Sequence, residues 1–155
     1  MAFLFLDSSH GSKKRKAIQT AKFYFFDCGV VRSLKGLSTI EENTVEFGHA
    51  FEHFIFLEMY RQCQYKFPDW EMSYLQSKEG AEIDFILDRP GQSTLLIAVK
   101  SKETPNVEDT RHLEMFRDDF ANCELFLVTR QQTPRKIGHV MALPWQQFLT
   151  NTFGA

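Results

Sequence analysis

The chain has 155 residues, 43% apolar and 14% aromatic with sixteen phenylalanines, enough to bury one sizeable core and to exclude a disordered or low-complexity protein. Eighteen basic residues against twenty acidic ones leave a net charge of −2, which excludes a globally basic nucleic-acid binder and confines any such binding to local patches. No apolar run reaches the roughly 18 residues of a membrane span, and Cys28, Cys63 and Cys123 form no Cys-x-x-Cys pair for zinc or a disulfide.

The apolar segment Ala2 to Leu6 precedes the basic cluster Lys13-Lys14-Arg15-Lys16, the wrong order for a secretory signal, and a cytoplasmic protein is expected. Residues 1–19 read as a flexible basic lead-in and residues 20–155 as one domain. Lys22 to Phe26 is an aromatic strand candidate with Phe23 to Phe26 expected in the core, and Asp27 caps a short turn or helix through Leu34 that ends near Gly36. Glu41 to about Cys63 reads as one helix, because Phe47, Phe51, Phe54 and Glu58 recur at helical spacing. Three strands follow as an antiparallel meander, Met72 to Leu75, Ala81 to Leu87 and Thr94 to Val99, with turns at Lys78-Glu79-Gly80 and Asp88-Arg89-Pro90-Gly91. Thr104 and Pro105 supply an N-cap and first position for a helix reaching Phe120. Leu125 to Thr129 is a buried strand, Val140 to Leu143 a last strand, and Pro144 opens a final helix carrying Trp145, Phe148 and Leu149. The order is helix, three strands, helix, strand, an α/β arrangement.

Strand alternation puts Ile83, Phe85 and Leu87 on one face with Asp84 on the other, and groups Ala98 with Lys100 opposite Leu95, Ile97 and Val99. A turn centred at Pro90 and Gly91 sets Asp84 across from residues 97 and 98. Glu82 falls on the Asp84 side, nearer the strand's start. A carboxylate and a lysine so placed suit phosphodiester hydrolysis, in which a carboxylate-bound divalent ion activates water and a lysine stabilises the developing charge. The plain alternative is a cross-strand ion pair worth at most about 1 kcal/mol; Glu52, acidic on a phenylalanine-rich helix, weighs against it. His49-Ala50-Phe51-Glu52-His53 also fits the H-x-x-E-H pattern of zinc peptidases, although no downstream residue supplies a clear third ligand. The chain has no Gly-x-x-x-x-Gly-Lys-Ser/Thr loop and is not itself a P-loop nucleotide binder. Basic candidates for phosphate contact are the lead-in cluster with Lys22, the Lys100/Lys102 pair, Arg111, and Arg130 with Arg135 and Lys136, each read alone being more simply solvated surface.

Asp84, the strand ending Val99-Lys100 and the helix segment Gly48-His49-Ala50-Phe51-Glu52 together resemble the PD-(D/E)XK, or restriction-endonuclease-like, nuclease superfamily. More narrowly, Phe23 to Leu34 and Lys78 to Lys100 resemble the C-terminal domain of a prokaryotic AAA+-type ATPase family. The resemblance implies an αβββαβ core with a central mixed sheet flanked by helices. It implies Mg²⁺ or Mn²⁺ held by Glu52 and Asp84, Lys100 on the scissile phosphate, and DNA as partner, with Lys102 and Arg111 as further contacts. A homodimer and an ATPase partner are additional candidates, and no membrane association is expected. Ile83 replaces a nominal proline that many superfamily members also lack. Ala98 stands where the strand carboxylate belongs, and alanine neither binds a metal nor orients a water. Metal binding weakened or lost, and little or no hydrolysis, is the expectation. The alternative is a non-catalytic DNA-binding or assembly module on the same fold.

Overall fold

The computed structural model describes residues 3–7, 20–25, 29, 39 and 41–154. Two short strands open it, β1 (Phe3–Leu6) and β2 (Lys22–Phe25), paired antiparallel as a separate ribbon. Strand β1 falls within the span read as a lead-in; its four residues find a ladder partner only in β2, a pairing with no local signature. The cluster Lys13-Lys14-Arg15-Lys16, and the turn or helix expected from Asp27 to Gly36 except Gly29, lie outside the described residues.

Helix α1 runs Val45–Lys66, starting later than the expected Glu41 and running past the expected end near Cys63. Thr44 is extended, and its hydroxyl accepts the Phe47 N–H at 3.1 Å, satisfying one of the unpaired donors of the first turn. The meander then forms as expected: β3 (Glu71–Gln76), β4 (Glu82–Asp88) and β5 (Thr94–Val99), all antiparallel. Between β4 and β5, Pro90 and Gly91 occupy the centre of a turn closed by the Gln92 N–H on the Arg89 carbonyl at 3.0 Å. Gly91 has φ +77°, which the second central position of a type II turn requires.

The helix expected from Thr104 to Phe120 is shorter and broken. Asn106, not Thr104, is its N-cap, with the Asn106 N–H held by Asp109 Oδ2 at 2.9 Å. A 3-10 turn (Val107–Thr110), helix α2 (Arg111–Phe116) and a second 3-10 turn (Arg117–Asp119) follow. Strand β6 (Cys123–Thr129) returns parallel to β5, and β8 (Val140–Pro144) lies parallel to β6, with the three-residue β7 (Arg135–Ile137) antiparallel beside it. Helix α3 (Trp145–Phe153) closes the chain. The sheet order is β3-β4-β5-β6-β8-β7, a six-stranded mixed sheet flanked by three helices. Among the described residues no helix is long and apolar enough to cross a membrane.

The sheet buries both faces. On one, Phe85, Leu87, Leu95, Ile97 and Val99 meet Phe51, Ile55, Phe56 and Met59 of α1 and Phe148 and Phe153 of α3. On the other, Ile83, Ile86, Leu96, Ala98 and Leu127 meet Leu113 and Phe116 of α2. Phe85 shares the face of Leu87 as expected, but Ile83 faces the opposite way, which corrects the expectation that all three lie together. The cause is a β-bulge: Ser73 pairs with Ile86 and Leu75 with Ile83, so Tyr74 alone stands against Asp84 and Phe85.

Candidate acidic site

The bulge determines where Asp84 goes. Pairing of β4 with β5 runs from Leu87–Leu95 to Phe85–Ile97 and then ceases. Beyond that point the strands part, and Asp84 Oδ2 accepts the Val99 N–H at 2.7 Å, satisfying a ladder donor with a side chain. Glu52 approaches from α1, half-buried, with Oε1 accepting the Tyr24 hydroxyl at 2.9 Å. Glu82, at the start of β4, bonds the Lys22 ammonium in a half-buried ion pair. Three carboxylates from two elements thus converge, each with one oxygen committed to a protein donor.

Strand β2 supplies two of those donors. Its alternation turns Lys22 and Tyr24 inward and leaves Phe23 60% exposed, which corrects the reading of this whole segment as core. Tyr24 stacks on Phe56 at 4.0 Å between ring centroids, and the Phe25 carbonyl accepts from His53 Nε2 at 2.5 Å. Lys22 also lies 4.6 Å from the Tyr74 ring centre, while the Tyr74 hydroxyl bonds the Thr20 carbonyl. From the opposite layer, His112 Nδ1 accepts the Glu82 N–H at 3.2 Å.

The electrostatics follow from this crowding. Burial, then the neighbouring Glu52 carboxylate, push the Asp84 pKa up to about 7, against the opposing Val99 N–H and Lys22. Burial pulls the Lys22 ammonium down, but its bond to Glu82 and the fields of Glu82, Glu52 and Asp84 reverse this and raise it. Burial and Glu52 together raise the Tyr24 phenol.

The residues singled out in the sequence separate into two groups. Glu52 and Asp84 are brought together; Ala98 and Lys100 are not brought to them. Ala98, 7% exposed, packs in the α2-side cluster with Leu96. Lys100 lies just past β5, exposed, its N–H bonded to the Val128 carbonyl, and no ion pair ties its ammonium to a carboxylate among the described residues. Lys102 is paired with Asp109 at 2.8 Å, Arg111 is exposed on the first residue of α2, and Arg130 bridges Glu42 and Glu103. Lys22, grouped in sequence with a basic patch for phosphate, is instead the cation at the carboxylates; its signal was its alternation with Tyr24 on one strand.

Asp84, Glu52 and Glu82 each spend an oxygen on a protein donor, Ala98 offers none, and among the described residues no group of three or more His, Cys, Asp or Glu is placed to hold an ion. The zinc pattern fares no better, because His49 is exposed while the buried His53 bonds the Phe25 carbonyl.

Comparison with known families matches the chain, over residues 47–148, to the model described as a domain of unknown function, DUF4143. The chain belongs to the DUF4143 family. The DUF4143 match opens in the first turn of α1 and ends within α3, so it takes in Glu52, Asp84, Ala98 and Lys100 but neither Lys22 nor Tyr24. Neither a curated protein nor a solved structure matches the chain.

Proposed function

We propose that the chain is a restriction-endonuclease-like DNA nuclease domain whose hydrolytic site is disabled. The observation that supports this is the Glu52–Asp84 pair, carried by a helix and a bulged strand, at the point where β4 and β5 part on an αβββαβ core. Ala98, one residue past the last β4–β5 pair at Ile97, packs on the α2 side and offers no carboxylate. In an active site of this class the ion would be held by carboxylates and would activate water; here the chain's own residues hold the two carboxylates to Tyr24 and Val99 instead. The family resemblance also suggests an ATPase as a partner.

A second reading is favoured by the packing of Ala98 on the α2 side and the outward placement of Lys100: the fold serves as a non-catalytic module for DNA binding or assembly. One experiment separates the two. The wild-type chain is expected to cleave no plasmid or single-stranded DNA with Mg²⁺ or Mn²⁺. Ala98→Glu, alone or combined with Lys22→Met, is expected to gain divalent-dependent cleavage. If neither folded variant cleaves, the nuclease reading is lost, and salt-sensitive DNA binding weakened by Lys100→Ala or Arg111→Ala would support the module.

A further inference from the structure

The acidic group is closed by a segment that lies outside the DUF4143 match. Strand β2 is fastened at successive positions: the Thr20 carbonyl to Tyr74, Lys22 to Glu82, Tyr24 to Glu52, and the Phe25 carbonyl to His53. These bonds reach α1, β3 and β4 together, so they fix where the Lys22 side chain ends. It ends on Glu82, within the fields of Glu52 and Asp84, with the Tyr74 ring 4.6 Å from its ammonium. Glu82 pairs with the ammonium directly, Glu52 and Asp84 add their fields, and a ring face adds to its attraction.

We propose that Lys22 is the resident cation of the Glu52–Glu82–Asp84 group, delivered by β2 into the place that the nuclease-like reading gives to a divalent ion, so that the site as folded excludes metal. The inference rests on that reading only for the identity of the excluded ion. A divalent cation and an ammonium cannot occupy the same place, because like charges at contact distance repel. The protein donors explain the arrangement without an ion: Glu82 faces Lys22, Glu52 faces Tyr24, and Asp84 faces the Val99 N–H.

The test follows thermal unfolding of the full chain with and without millimolar MnCl₂. Lys22→Met removes the ammonium and keeps the apolar stem, Lys22→Arg keeps the charge, and Tyr24→Phe loosens the strand without touching the cation. Lys22→Met is expected to lose Tm in buffer and to regain about 3 °C or more with Mn²⁺, as an ion at roughly ten times its Kd would give. Wild type, Lys22→Arg and Tyr24→Phe are expected to gain nothing. An equal Mn²⁺ gain in wild type, or no gain in folded Lys22→Met, overturns the proposal. Should Lys22→Met not fold, direct Mn²⁺ titration of wild type decides: stoichiometric binding that Asp84→Asn abolishes overturns it, and no binding supports it. Neither readout needs hydrolysis, so failure here and failure of Ala98→Glu to cleave DNA are separate results.

Discussion

At Asp84 a single side chain carries two opposing influences, and burial with Glu52 outweighs the Val99 N–H and Lys22. The folded-state pKa of about 7 stands above the unfolded value of about 3.9, so between those two pH values the folded protein holds the proton more tightly. Stability from this residue is therefore full below about pH 4, falls as pH rises, and levels off above about pH 7. Asp84→Asn keeps an acceptor for the Val99 N–H and removes the half-buried charge. It is expected to be more stable than wild type at pH 8, by on the order of 1 kcal/mol, and to show a flatter pH profile in urea denaturation. An unchanged slope would mean that Asp84 is ionised as freely in the folded chain as in the unfolded one. Cys63, by contrast, is a buried thiol pushed up to about 11 by burial alone, and belongs to the core.

Elements hold their ends by particular bonds, and the turn between β7 and β8 shows how tightly. Gly138 has φ +60°, and a Cβ built on it would meet Glu114 Oε1 at 2.6 Å. That carboxylate accepts the His139 N–H at 2.7 Å and lies 3.0 Å from His139 Nδ1, tying α2 to the turn. Gly138→Ala is expected to destabilise by roughly 1–3 kcal/mol, part from the left-handed backbone and part from displacing Glu114. Adding Glu114→Ala to it should return only the steric part, which chemical denaturation of the single and double variants would separate. Turn chemistry at Asp88-Arg89-Pro90-Gly91 and the span of β5 are plain from sequence, because each depends on residues adjacent in the chain. The break in the α2 region is not: Asn106 with Asp109 competes with Thr104 and Pro105 for the cap, and geometry selects the former.

Across the whole molecule the sheet is shared by two cores, one under α1 and α3 and one under α2. Phe56 and Phe116 are fully buried on opposite faces, at 1% and 0% exposure. Phe56→Ala and Phe116→Ala should each cost about 3–5 kcal/mol. Both are expected to lower one cooperative transition, because either core needs the same strands; two separate transitions in calorimetry would show that the layers unfold independently. The amino-acid sequence by itself determined the helix over the phenylalanine spacing, the meander with its Pro-Gly turn, the αβββαβ order, and the presence of Glu52 and Asp84 with alanine at position 98. These depend on local periodicity and on residue identity. Tertiary structure alone decided the bulge that sends Ile83 and Phe85 to opposite faces, the pairing of β1 with β2, the turning of Ala98 away from Asp84, and the exchange of Lys100 for Lys22 at the carboxylates. A one-residue slip in register reverses the face of every side chain beyond it, and an ion pair between residues 60 apart leaves no periodic trace along the chain.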